Sequence, residues 1–376
     1  MQHIAEKRSK SGASYHYLLP PGTSPAPPLG PLDAATLADF GYAYVTQPST
    51  SEEVSRHASL NYPLLPTQTR LVMLPSKKEP FAFRGEAHYS ALKALVRGEV
   101  RRRLVEQCGL VELDAECAAQ LRPGRLPNAE VKVFHSPEAL TSDAPLLVIV
   151  HGSGDVRAGL WALRLATSAS LEQGCCFGYI ERAVERGWNV LLLDSNLGNF
   201  VAKKERDPLG RSAESEHVLL AWDHLVHSAA ATRVAFVAHS AGGRGVLDLL
   251  SARRREAVLS DRIVAIAMTD AVHTAQTRAP FLTAASDPEL HAFLSTRVVD
   301  WVQVEGGASK CAVGTAVTYA EHTKGKGFRA ASGWLAGCDD SDPIPLRSAG
   351  TDQHIWTSWC AMDNVFAFLD AKLGSF

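Results

Sequence analysis

The sequence predicts an α/β protein, a mostly parallel sheet with helices on both faces. Three observations predict it. Apolar runs of strand length recur from Pro145 onward, at Leu146 to Val150, Asn189 to Leu193, Arg233 to Ala238 and Ile263 to Met268. Each is continuous rather than alternating, the pattern of a strand buried on both faces. Helical stretches separate the runs, as crossovers between parallel strands require.

Size and composition agree with this class. The chain has 376 residues, with 46% hydrophobic and 21% charged. That is ordinary globular composition, and it excludes wholesale disorder. The formal charge is −2, from 38 basic and 40 acidic residues, so no global basic field exists to bind nucleic acid directly. No apolar run approaches the about 20 residues that a spanning helix needs, so no membrane span is expected. Met-Gln-His-Ile-Ala-Glu-Lys-Arg opens the chain without an apolar signal core. A cleaved signal peptide is not expected. The 7 cysteines form no Cys-x-x-Cys, which reads as a reduced intracellular protein.

Along the chain, residues 1–32 read as a flexible tail. Six of the 20 prolines lie between Pro20 and Pro31, a stretch that cannot sustain a hydrogen-bond ladder. Residues 33–376 read as a single domain, with an N-terminal part over 33–135 and a catalytic-type core over 145–376. In the first part, Leu92, Leu95, Val96, Val100, Leu104 and Val105 fall on one face of a helix over Ala91 to Leu110. Arg101, Arg102 and Arg103 spread around that helix as a solvated face rather than a phosphate clamp. Val131 to His135 reads as a short strand. In the core, helices are expected over Tyr179 to Arg186, His217 to Ala230 and a final stretch including Val365 to Leu369. A charged surface insertion is expected over about 197–215.

Chemistry in such sheets gathers at the carboxyl ends of the strands. The sharpest motif lies there: Ala238-His239-Ser240-Ala241-Gly242-Gly243, between a strand and a helix. It is a nucleophile-elbow pattern in which Ala238 replaces the first Gly of Gly-x-Ser-x-Gly. The bend is tight, so small residues are needed two before and two after Ser240, and Ala238 and Gly242 supply them. Ser240 is the candidate nucleophile, and the Ala241 N–H a candidate oxyanion donor. The plainer alternative is a packing turn whose Ser caps a helix. His151-Gly152-Ser153-Gly154, after an earlier strand, is the candidate second oxyanion loop. Its donor is assigned to Ser153. His151 reads as an organiser of this loop rather than a base, with Gly152, Gly154, His239 and Gly242 as further loop support.

A triad in this order needs an acid and then a late His. His354 fits, after the short apolar stretch Ile344 to Leu346. Two acids are candidates. Asp270 follows the fourth apolar run and is preferred, and Glu305 follows Val298 to Val304, the more usual position. Asp352 reads as a loop residue. No His-Glu-x-x-His, no Gly-x-x-x-x-Gly-Lys and no Gly-x-Gly-x-x-Gly after a first strand occurs, so no metal and no cofactor is expected.

Four motifs in this order resemble a known family: His151 to Gly159, Ala238 to Gly243, Met268 to His273, and Ser348 to His354 with Thr357-Ser358-Trp359. They look like the Arb-two (Argonaute-binding protein two) domain of animal cotranscriptional regulators, also appended to some fungal histone deacetylases. Asp39 to Tyr42 and Pro80 to Phe83 resemble its beginning, so the likeness covers about residues 36–370. The resemblance implies an α/β-hydrolase fold, a nucleophile at Ser240, and association with Argonaute and RNA-silencing or splicing machinery. Where members carry Glu-Pro-Leu-Asp after the seventh strand, this chain has Glu305-Gly306-Gly307-Ala308-Ser309. That leaves Asp270 or Glu305 as the acid. The charged insertion is also shorter here. Two functions are therefore expected: a serine hydrolase acting on a small ester, thioester or acyl amide, or a hydrolase-fold scaffold that binds silencing-complex proteins.

Overall fold

Five consecutive aliphatic residues, Leu146-Leu147-Val148-Ile149-Val150, form the strand β7 in the middle of the sheet, and all five are buried. The computed structural model describes residues 35–51, 54, 65–197, 212–253, 256, 261–272, 287–323 and 340–374, with two backbone strands at 4–8 and 14–18. The Pro-rich stretch Pro20 to Pro31, most of the charged insertion and His273 lie outside the described residues.

The strands in chain order are β1 Ile4–Arg8, β2 Ser14–Leu18, β3 Tyr42–Pro48, β4 Thr67–Met73, β5 Val111–Glu112, β6 Phe134–His135, β7 Leu146–Val150, β8 Asn189–Leu192, β9 Val234–His239, β10 Ile263–Thr269, β11 Val298–Val302, β12 Ala316–Val317 and β13 Leu346–Ser348. Nine form one sheet, in the order β12-β13-β11-β10-β9-β7-β8-β6-β5. β8, β7, β9, β10, β11 and β13 run parallel, and β6 and β12 join them antiparallel at either side. The chain leaves β7 for β8 on one side, then returns to place β9 on the other. That reversal opens a crevice at the carboxyl ends of β7 and β9.

Period-two alternation sends each strand into two cores. Leu146, Val148 and Val150 of β7 face one layer with Val234, Phe236 and Ala238 of β9. Leu147, Ile149, Ala235 and Val237 face the other. Helices α3 Ala213–Ala221 and α4 Ala241–Arg253 cover the first layer. Helices α2 Phe177–Glu185 and α5 Met362–Leu373 cover the second. The predicted continuous runs are thus strands buried on both faces.

The helix α1 Glu86–Glu106 starts and ends a turn earlier than its apolar periodicity suggests. Leu92, Val96, Val100 and Leu104 are buried in it, whereas Val105 is 46% exposed. Its arginines pair with acids: Arg102 with Glu99 and Glu106, Arg103 with Glu99, Arg101 with Glu130. α3 also begins earlier than His217, because Ser212 Oγ accepts the Ser215 N–H and caps it. The same helix continues past Ala221 through a wider π turn over Trp222–Val226.

Two ribbons stand apart from the large sheet. β3 and β4 pair antiparallel and pack with α1 around Phe40, Tyr42, Leu71 and Leu92. β1 pairs antiparallel with β2, inside the segment read from sequence as a tail. The six described cysteines are all free thiols. Among the described residues no helix is long and apolar enough to cross a membrane.

Candidate active site

β9 is buried along its whole length and ends at His239, and α4 starts at Ala241. Ser240 occupies the bend alone, at φ 53°, the left-handed region that side-chain-bearing residues avoid. Neighbouring strand ends hold it there. Its N–H donates to the Thr269 carbonyl at 3.2 Å, and its own carbonyl accepts the Val272 N–H at 2.8 Å. The demand for small residues is steric and local. A Cβ on Gly242 would sit 2.5 Å from the Val150 carbonyl oxygen, and one on Gly243 would sit 2.4 Å from the Ala271 Cβ.

His354 opens a short 3-10 turn, His354–Trp356, after β13. Its Nδ1–H donates to Asp270 Oδ2 at 2.7 Å. Asp270 immediately follows β10, also in the left-handed region at φ 48°. Its N–H donates to the Trp301 carbonyl at 2.8 Å, and its Oδ1 accepts the Gln303 N–H at 3.3 Å. Asp270, not Glu305, therefore holds the imidazole. Glu305 lies exposed on the turn beyond β11, and Asp352 is exposed as well. The left-handed backbone at Asp270 turns its carboxylate back across the strand ends, which a residue two further along the neighbouring loop does not do.

The His239 ring stacks on the His354 ring, 4.7 Å between centroids at 25°. This contact sets the late imidazole beside the elbow, because His239 immediately precedes Ser240. His239 Nδ1–H donates to the Thr269 carbonyl at 2.8 Å. Burial, then the neighbouring His354, push its pKa down to about 3. At neutral pH His239 is therefore an uncharged plate against the His354 ring. A second imidazole, His322, faces the other carboxylate oxygen, with Nε2 3.8 Å from Asp270 Oδ1. Nothing in its sequence surroundings singles it out.

The loop after β7 presses against the elbow from the opposite side. A Cβ on Gly152 would lie 2.8 Å from Ser240 Cβ and 3.3 Å from Ser240 Oγ. Gly152→Ala is expected to cut the reactivity of Ser240 at least ten-fold while the melting temperature falls by only a few degrees. Stopped-flow labelling and a thermal melt check it, and unchanged labelling would refute the close approach. His151 is fully buried, and its Nδ1–H donates to the Gly152 carbonyl at 2.8 Å. In a trans peptide the next N–H points opposite to that carbonyl. The Ser153 N–H is thereby turned away from the His151 ring. The first N–H groups of α4, that of Ala241 included, have no intrahelical acceptor. Both candidate oxyanion donors thus belong to segments touching Ser240.

Sequence reasoning missed what lies beneath this loop. Asp194, just past β8, is fully buried, and its carboxylate accepts Arg157 Nε–H at 2.9 Å, the Lys132 N–H at 3.0 Å and the Ala158 N–H at 3.1 Å. His151 Nε2 lies 3.6 Å from the same carboxylate. The available signal was an Asp closing an apolar run, which alone does not separate a core ion pair from a loop residue. Among the described residues no group of three or more His, Cys, Asp or Glu is placed to hold a metal ion.

A parallel sheet in this order, with its serine bend after β9 and its histidine after β13, is the α/β-hydrolase fold. Residues 68–305 match the Arb2 domain, more than half of the chain, and the protein belongs to that family. It is 27% identical to the cotranscriptional regulator ARB2A of Mus musculus, over 77% of this chain and 74% of that protein. It is 29% identical to a FAM172 family protein homologue of Caenorhabditis elegans, over 79% of this chain and 81% of the other. Among solved structures, the histone deacetylase Clr3 matches 77% of this chain at 16% identity, with a TM-score of 0.45. The chain spans 41% of the length of Clr3. Est1E from Butyrivibrio proteoclasticus matches 69% of this chain and 97% of its own at 13% identity, with a TM-score of 0.36.

Proposed function

We propose that this protein is a serine hydrolase acting on a small ester, thioester or acyl amide. The observation that carries the reading is the 2.7 Å hydrogen bond from His354 Nδ1 to Asp270 Oδ2, beside the Ser240 bend. It commits Nδ1 to donation and leaves Nε2 as the basic nitrogen. Ser240 Oγ attacks the acyl carbon as its proton moves to His354 Nε2. The carbonyl π electrons move onto oxygen, where the Ser153 and Ala241 N–H groups receive the negative charge. The intermediate then collapses. The leaving group takes the proton from Nε2, and Ser240 keeps the acyl group. Water repeats the sequence, its proton passing to Nε2, its oxygen going to the acyl group, and Ser240 regaining its hydrogen. Asp270 orients the ring and offsets its charge throughout.

A fluorophosphonate probe tests this directly. Wild-type protein should be labelled stoichiometrically, and Ser240→Ala should not be labelled at all. Failure of folded wild-type protein to react would refute the hydrolase reading.

One observation favours a second reading. The mouse and human relatives that match 77% of this chain are named cotranscriptional regulators. The alternative is an intracellular scaffold, in nucleus or cytoplasm, that retains the hydrolase fold and binds Argonaute or related silencing proteins. Fold alone does not separate the two. Co-precipitation of Argonaute by wild type and Ser240→Ala alike, from a protein inert to the probe, would favour the scaffold.

A further inference from the structure

The three consecutive residues after β8 reach the loop after β7 at every stage of its path. Ser195 Oγ–H donates to the His151 carbonyl at 3.1 Å. Asn196 Nδ2 donates to the Gly154 carbonyl at 2.8 Å and the Val156 carbonyl at 2.7 Å. Asp194 receives the Ala158 N–H at 3.1 Å, where the loop ends. From the other side Arg97 Nη2 donates to the Asp155 carbonyl at 2.7 Å, so the middle of the loop is gripped between α1 and the segment after β8. Gly154 sits at φ 103°, and a Cβ there would meet open space.

We infer that Asn196 is a positioning residue that fixes the oxyanion loop. The inference rests on the hydrolase reading above. Both N–H donors of the Asn196 carboxamide are spent on loop carbonyls two residues apart. Holding a carbonyl also fixes the N–H of the same peptide, so Asn196 sets the Gly154–Asp155 and Val156–Arg157 peptide planes beyond Ser153. Ser195 sets the plane before Gly152. Three planes held from one side leave the Gly152–Ser153 peptide with one orientation, the one that His151 also favours. Asn196 is 4% exposed, yet among the described residues its Oδ1 is buried with no partner. A residue retained only to fill space would not bury an unpaired oxygen. An Asp here could not donate, and an aliphatic residue would leave two loop carbonyls unheld.

The test uses the full chain, a fluorophosphonate probe, and hydrogen exchange on the peptide spanning residues 151–158. Asn196→Ala should lower the maximal labelling rate at least ten-fold and leave the half-saturating probe concentration unchanged. It should also speed exchange in that peptide ten-fold or more. Asn196→Gln keeps the donors and should recover part of both. Equal labelling rates for wild type and Asn196→Ala would overturn the inference. If wild-type protein does not label, the hydrolase reading is what fails. Exchange then decides on Asn196 alone, and unchanged exchange would overturn its role in holding the loop. If Asn196→Ala does not fold, Asn196→Ser, which keeps one donor, takes its place with the same criteria.

Discussion

Asp270→Asn should lower the turnover of an activated ester by about 10⁴-fold while leaving the fold intact. An Asn amide is the same size as the carboxylate. It can still accept the Gln303 N–H that Asp270 Oδ1 accepts at 3.3 Å. It cannot balance a positive imidazole. It also presents an N–H₂ group that encourages the wrong His354 tautomer, with the proton on Nε2 instead of Nδ1. That tautomer cannot accept the Ser240 proton. Glu305→Gln should change turnover less than two-fold, because Glu305 is exposed on a different turn. Steady-state kinetics of both variants against wild type checks the pair. A large loss in Glu305→Gln, or a small one in Asp270→Asn, would reassign the acid.

Mild acid should destabilise the protein well before the buried Asp194 carboxylate titrates. His217 and His239 are both buried and uncharged. Burial pushes the pKa of His217 down to about 4, and that of His239 down to about 3 with the neighbouring His354 contributing. An unfolded histidine titrates near ~6.5. Between that value and the folded pKa, the unfolded chain binds more protons than the folded one, so stability falls as pH falls. From pH 7.5 to 5 the two together remove on the order of 4 kcal/mol, at about 1.4 kcal/mol for each unit of separation. That is a large share of the roughly 5–15 kcal/mol typical of a folded domain. Asp194 acts later. Burial pushes its carboxyl up, but Arg157 and the nearby His151 outweigh that and hold it well below the usual carboxylate range. Its contribution is present above pH ~4 and is lost only below that. Urea midpoints at pH 7.5 and 5 measure the effect, and His217→Gln should roughly halve the difference between them. A midpoint that does not move over this interval would refute the account.

Much of the parallel sheet was legible because its signal is local. Five apolar residues in a row, bounded by Pro145 and a His-Gly turn, specify β7 without reference to anything distant. The Ser240 bend was legible for the same reason: small residues at 238 and 242 are a steric requirement written into adjacent positions. The choice between Asp270 and Glu305 was not legible. It depends on the left-handed backbone at Asp270, φ 48°, which neither hydrophobic period nor motif spacing encodes. The clamp under the oxyanion loop was hidden by sequence distance. Arg157 lies 37 positions from Asp194, and Lys132 lies 62. His322 comes to Asp270 from a helix whose own sequence carries no motif. The start of α3 shifted because a single Ser212 hydroxyl, rather than periodicity, decides where the first turn begins.

Three described side-chain-bearing residues, Lys77, Ser240 and Asp270, stand in a conformation that costs roughly 1–2 kcal/mol each relative to ordinary backbone, and two of the three lie at this site. Glycine would adopt either conformation freely but would supply neither the hydroxyl nor the carboxylate. The molecule keeps both tensed points adjacent, at the mouth between neighbouring strands, with a hydroxyl on one and a negative charge on the other. The backbone cost at this mouth thus falls on the two positions that carry the hydroxyl and the carboxylate.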